Sequence, residues 1–194
     1  MKILTTGGNR GLGMALVKDL GAESISRETG FDITKDTDAI ITKSLEYDVF
    51  INNAFDGPPQ EPHANFGQSL LLIKMFDAWK VNNKKGFIFN IGSIASDDVV
   101  SPDPSWETYR VSKKSLEAAS LQCSRAFRSN QVLFRTTLIK PDRLDTALSR
   151  SRPNWTGNGV DCGDIVKFIN YCLEIKNNTQ IDQVTVSLNY DHKD

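Results

Sequence analysis

Tyr109 and Lys113 are four residues apart, and in a helix that spacing puts both side chains on one face. An ammonium beside a phenol favours the phenolate and draws a group with a reference pKa of about 10 toward neutral pH, which makes an acid/base pair. A surface Tyr and Lys at i,i+4 is the plainer alternative. A second chemistry-bearing segment is Thr6-Gly7-Gly8-Asn9-Arg10-Gly11-Leu12-Gly13. Its glycines let backbone amides approach a pyrophosphate, and a helix starting there favours the phosphate charge. A glycine-rich turn is the alternative, and the strand-loop-helix context argues against it.

These residues need elements to position them. Lys2 to Thr6 reads as a short strand, and Leu12, Ala15, Leu16 and Leu20 recur with helical spacing after the glycines. Glu23 to Arg27 is a weak strand, and Phe31 to Ile33 is a second one. Asp36 or Thr37 is placed to cap a helix through Tyr47. Asp48 to Asn52 is a buried strand, and Phe55-Asp56-Gly57-Pro58-Pro59 is loop. A long helix over 64–81 carries Phe66, Leu70, Ile73 and Phe76, followed by a strand from Gly86 to Ile91. The helix over 107–128 has its core stripe at Leu116, Ala119, Cys123, Ala126 and Phe127. Val132 to Ile139 is a strand stopped by Pro141, and a loop runs from Arg150 to Gly159. Ile165, Phe168, Ile169 and Cys172 mark a last helix, and Ile181 to Leu188 a last strand. Strands separated by helices mean βαβ units and a mostly parallel sheet with helices on both faces, within a single domain over 1–194.

Composition limits the function. With 39% hydrophobic and 24% charged residues the chain is an ordinary folded domain, not a disordered or collagen-like one. Lys+Arg 23 against Asp+Glu 24 gives a net charge of -1, so no global field steers it onto nucleic acid or acidic lipid. A small ligand is expected. The three cysteines, Cys123, Cys162 and Cys172, lie far apart and suit reduced thiols. The apolar runs are too short to span a bilayer, and Met1-Lys2 leads directly into a strand pattern, so the expected location is the cytoplasm. His63 and His192 are isolated, and no metal site is expected.

The TGxxxGxG spacing of the first loop resembles the short-chain dehydrogenase/reductase family, and further segments match that family's motifs in order. Asn52-Asn53-Ala54 resembles NNAG after the family's fourth strand, and Ser93 follows the next strand in Asn90-Ile91-Gly92-Ser93. Tyr109 to Lys113 matches YxxxK, and Pro141 to Thr146 resembles PGxxxT. The resemblance implies a Rossmann-type doubly wound sheet and a nicotinamide cofactor held by Gly7, Asn9, Arg10, Gly11, Leu12, Gly13, Arg27, Asp32, Asn53, Ala54, Tyr109, Lys113, Pro141 and Thr146. It also implies that Tyr109 donates a proton to a carbonyl oxygen as hydride arrives, that Lys113 holds the nicotinamide ribose, and that Ser93 orients the same oxygen. Ser93 as a turn or cap residue is the alternative. Asn65, with Lys74 and Phe76 following, fits the family's fourth active-site residue and equally fits a helix cap. Asp32 resembles the adenine-side aspartate, or is a plain strand-end residue. Arg10 and Arg27 suit a 2′-phosphate and favour NADP(H), whereas Glu28 could serve NAD(H).

The chain departs from the pattern in three places. Only 18 residues separate Gly13 from Asp32, so a helix between strands 2 and 3 is missing. Phe55 replaces the last glycine of NNAG, and Asp142 replaces the glycine after Pro141. Asp97, Asp98, Pro102, Pro104 and Trp106 are expected to form one wall of the substrate pocket. Asp97 and Asp98 hint at a polar or cationic substrate, or form a solvated loop, and Trp155 is the largest group available to cover a ligand. The expected function is NADP(H)-dependent hydride transfer to or from the carbonyl or hydroxyl carbon of a small substrate. The alternative is a non-catalytic NADP(H) sensor or scaffold, motivated by those departures. The resemblance further implies a homodimer or homotetramer through the helices near 64–81 and 107–128.

Overall fold

The computed structural model describes residues 1–55, 65–97, 106–153, 155–176 and 178–188. Six strands form one sheet: β1 (Ile3–Thr6), β2 (Glu23–Ile25), β3 (Val49–Asn52), β4 (Gly86–Ile91), β5 (Phe134–Pro141) and β6 (Gln183–Val186). Their order is β2-β1-β3-β4-β5-β6, with every pairing parallel. Parallel strands need crossovers, supplied here by α1 (Gly11–Leu20), α2 (Thr37–Ser44), α3 (Gly67–Val81), α4 (Glu107–Arg128) and α6 (Cys162–Glu174), with a short α5 (Ala147–Arg150) before α6.

Alternate strand residues feed two cores, as the period-2 strand geometry requires. Leu4, Phe50, Ile88, Phe134 and Leu138 meet Ile40 of α2, Leu71, Met75 and Trp79 of α3, and Leu116 and Cys123 of α4. Ile3, Val49, Ile51, Phe89 and Ile139 meet Leu12 and Leu16 of α1 and Ile165, Ile169 and Cys172 of α6. This is the doubly wound α/β architecture expected from the sequence. Strand order reverses between β1 and β3, and a crevice opens there beyond their carboxyl ends.

Three local expectations are corrected. Phe31 to Ile33 is not a strand, because Gly30 takes φ +86° and Asp36 accepts from the Asp32 amide at 2.7 Å, which makes a turn. No strand forms there, and β2 is the sheet edge. On α3 the large apolar residues that are buried are Leu71, Leu72, Met75 and Trp79, whereas Leu70 and Ile73 are 56% and 50% exposed. β5 spans Phe134–Pro141 in place of 132–139, and Pro141 is where it stops, opposite Val186. The helix over 107–128 has the expected bounds. Asp98, Pro102 and Pro104, like His63 and His192, lie outside the described residues.

Candidate active site

The loop between β1 and α1 is built for close backbone approach. Gly7 has φ +72° and Gly11 φ +52°, conformations that cost an L side chain strain. A Cβ at Gly13 would overlap the Gly7 carbonyl oxygen and lie 2.8 Å from its carbon, and one at Gly11 would come within 3.1 Å of the Thr146 methyl. Thr146 is thus brought against the loop, where it also caps α5 by accepting from the Ser149 amide. Asn53 ties the β3 end to the same loop, its Nδ2 donating to the carbonyls of Thr6 (3.0 Å) and Gly7 (3.2 Å). Thr6 Oγ1 accepts in turn from the amides of Asn53 and Ala54. The Leu12 side chain is buried in the core beneath α1 and is not in the lining described below.

Beside the loop lies a cavity of about 270 Å³ lined by Gly7, Asn9, Arg10, Ser26, Arg27, Glu28, Phe31, Asp32, Ile33, Asn53, Ala54 and Phe55. Seven of the sequence-derived cofactor positions therefore share one space: Gly7, Asn9, Arg10, Arg27, Asp32, Asn53 and Ala54. Asn9 donates to Ser26 Oγ at 3.0 Å, closing the rim. Asp32 accepts from the Thr34 hydroxyl at 2.6 Å and the Thr34 amide at 2.8 Å, which holds its carboxyl below the usual range. Pro141 is outside this lining, at the end of β5.

The proton-transfer candidates stand at the ends of β4 and α4. Ser93 caps the short 3₁₀ turn Ile94–Ser96, accepting from the Ala95 amide at 3.1 Å, so the capping reading holds as well. Burial pushes the Tyr109 phenol up, opposed by the nearby Ser93 hydroxyl and the Arg152 guanidinium. Lys113 is buried, and its Nζ turns to Gln68 Oε1 (2.6 Å) and the Ile91 carbonyl (3.1 Å), 5.6 Å from the Tyr109 ring centre. Burial brings its own pKa down to about 7. Asn65 is buried just before α3, and the N-cap position falls on Phe66, so Asn65 does not cap the helix.

The surroundings of Tyr109 include Trp106 and Arg152. Arg152 stacks on the Trp106 ring at 4.9 Å, and Trp106 meets Tyr109 edge-on at 5.6 Å. Trp155 packs against Gly159, where a Cβ would come within 2.8 Å of the indole. Asp97 is half exposed, and it pairs with the buried Lys140, which Glu117 also contacts at 3.3 Å.

No family model matches the chain, and no curated protein matches it in sequence. Solved structures do match in shape. A 3-ketoacyl-(acyl-carrier-protein) reductase from Brucella melitensis, complexed with NADH, superposes with TM-score 0.72 at 18% identity over 96% of each chain. A short chain dehydrogenase from Burkholderia cenocepacia in complex with NADP gives 0.71 at 23% identity, over 95% of this chain and 89% of that one. The 3-alpha-hydroxysteroid dehydrogenase from Pseudomonas sp. B-0831, complexed with NADH, gives 0.74 at 16% identity, over 96% and 95%. The chain has the short-chain dehydrogenase fold.

Within the short-chain dehydrogenase fold, two residues acquire importance that their sequence position did not convey. Phe55 lines the cavity beside the glycine loop and also meets Tyr109 edge-on at 4.9 Å and the Lys113 ammonium at 5.1 Å. It is the seam between the cavity and the acid/base pair. Gln68 has no match among the motifs, and its one signal in the sequence is a polar residue opening the apolar run Leu70-Leu71-Leu72-Ile73.

Proposed function

We propose that the chain is a member of the short-chain dehydrogenase/reductase family, an NADP(H)-dependent reductase of small carbonyl compounds. The observation carrying this reading is the grouping of Ser93, Tyr109 and Lys113 at the strand ends, joined through Phe55 to a glycine-cradled cavity. The cradle suits a nicotinamide dinucleotide on its phosphate side, because a Cβ at Gly7, Gly11 or Gly13 would crowd it. Phe55 has to turn aside for such a ligand to reach from the cavity to Tyr109.

NADP(H), when bound, supplies the hydride. Tyr109, kept protonated by burial, gives its proton to the carbonyl oxygen, and the Ser93 hydroxyl orients that oxygen. The Lys113 ammonium favours the phenolate that donation leaves behind and holds the nicotinamide ribose. Asn65 is assigned to the same set. Arg10 and Arg27 at the cavity wall receive the 2′-phosphate, which guanidinium binds in bidentate fashion. Glu28 lines the same wall and is the residue that would favour NAD(H).

A sensor that binds the nucleotide without turnover is the second reading, favoured by the Phe55 ring against both Tyr109 and Lys113. The exposed Leu70, Ile73 and Val111 on α3 and α4 support association with a second copy through those helices. Among the described residues no helix is long and apolar enough to cross a membrane, and the three cysteines are free thiols, in keeping with a cytoplasmic protein. Titration with NADPH and NADH, read by tryptophan fluorescence, tests the cofactor assignment. Tighter NADPH binding supports Arg10 and Arg27, and failure to bind either nucleotide ends both readings.

A further inference from the structure

Lys113 is an ammonium held where few partners reach it. On its own helix the neighbouring charged group is Glu117, already engaged by Lys140 at 3.3 Å and Lys114 at 3.7 Å. Tyr109 presents its ring, as does Phe55 from the β3 loop, and β4 offers the Ile91 carbonyl. Among the described residues no carboxylate forms an ion pair with Lys113. The contact from α3 is Gln68, itself buried and fixed at both ends. Its Nε2 donates to the Asn52 carbonyl (3.0 Å) and the Ile91 carbonyl (3.4 Å), and its backbone carbonyl accepts from Asn52 Nδ2 (3.0 Å). Two carbonyl acceptors on Nε2 leave Oε1 as the end that faces Lys113, which fixes the amide orientation.

We propose that Gln68 is the positioning residue for Lys113, a neutral carboxamide that anchors the ammonium below the Tyr109 ring while leaving it free to lose its proton. The proposal rests on the reductase reading above. A carboxylate in the same place would anchor the lysine equally well, but it would lock the positive charge in place. An apolar residue would leave the ammonium with the Ile91 carbonyl alone. A neutral acceptor gives the position without fixing the charge, and so keeps Lys113 able to exchange a proton in step with the phenol beside it.

The test is a titration of Lys113 by NMR of its ¹³Cε in the nucleotide-free protein, the resonance being assigned with Lys113→Arg. Gln68→Glu, nearly isosteric, is expected to raise the titration midpoint by about one unit or more, and Gln68→Leu to lower it. In turnover assays the pH–rate limb belonging to Lys113 is expected to move in the same directions. A midpoint unchanged in both variants overturns the proposal. Where Gln68→Leu does not fold, the unchanged or raised midpoint of Gln68→Glu decides alone. Loss of the reductase reading is seen separately, as absence of carbonyl-dependent turnover in the wild type with the lysine titration intact.

Discussion

Burial of Lys113 is expected to leave a signature in the pH dependence of stability. Its side chain has the Gln68 and Ile91 oxygens as acceptors, and its pKa falls from 10.5 to about 7 in the folded chain. In the unfolded chain the ordinary value returns, so between the two values the unfolded state binds more protons and stability rises with pH. With one pKa unit worth about 1.4 kcal/mol, the gain from pH 7 to 8.5 integrates to about 1.6 kcal/mol from this one group. Lys113→Met keeps the length of the side chain and removes the proton. Its lost hydrogen bonds are a pH-independent offset and cancel when slopes are compared. Cys123 and Cys172, with thiols pushed up to about 12 and 11, act in the opposite direction at higher pH, and both proteins carry them. Urea unfolding followed by tryptophan fluorescence at four pH values over this range gives the comparison. The wild type is expected to gain stability relative to Lys113→Met as pH rises. Parallel curves would refute the buried, carboxylate-free environment assigned to Lys113.

Gly13→Ala is expected to weaken NADPH binding by about tenfold or more, because the new methyl group forces the Gly7 carbonyl and with it the phosphate-facing backbone to shift; isothermal titration reads the change. Phe55→Ala opens the seam between the cavity and Tyr109, and is expected to tighten NADPH binding and quicken its onset in stopped-flow fluorescence. Leu70→Asp places a charge on the exposed α3 face and is expected to abolish the proposed association with a second copy, read by light scattering against the wild type.

Much of this architecture is legible in the sequence because its signals are local. The glycine loop announces itself by composition, and the strand-helix alternation follows from apolar periodicity over a few residues. What was illegible depends on partners far along the chain. Leu70 and Ile73 look like core residues because α3 is apolar on more than one side, and the sheet decides that Leu71, Leu72, Met75 and Trp79 go inward. The segment from Phe31 to Ile33 has strand-forming residues, but a left-handed Gly30 and the Asp36 side chain turn it away from β2. The YxxxK spacing told where Tyr109 and Lys113 sit, and it could not tell that Lys113 turns toward Gln68 and Ile91, residues brought to it by α3 and β4. Phe55 was visible as a departure from NNAG, yet only the fold puts its ring against both members of the pair.

In the proposed carbonyl reduction Tyr109 is the proton donor. The most direct test is NADPH oxidation against a panel of small ketones and aldehydes, run with the wild type and with Tyr109→Phe, alongside NADPH binding by both. Turnover of at least one carbonyl by the wild type, its loss in Tyr109→Phe, and NADPH binding retained in both are expected. Equal turnover in the two proteins, or NADPH binding without turnover of any carbonyl by the wild type, would contradict this assignment.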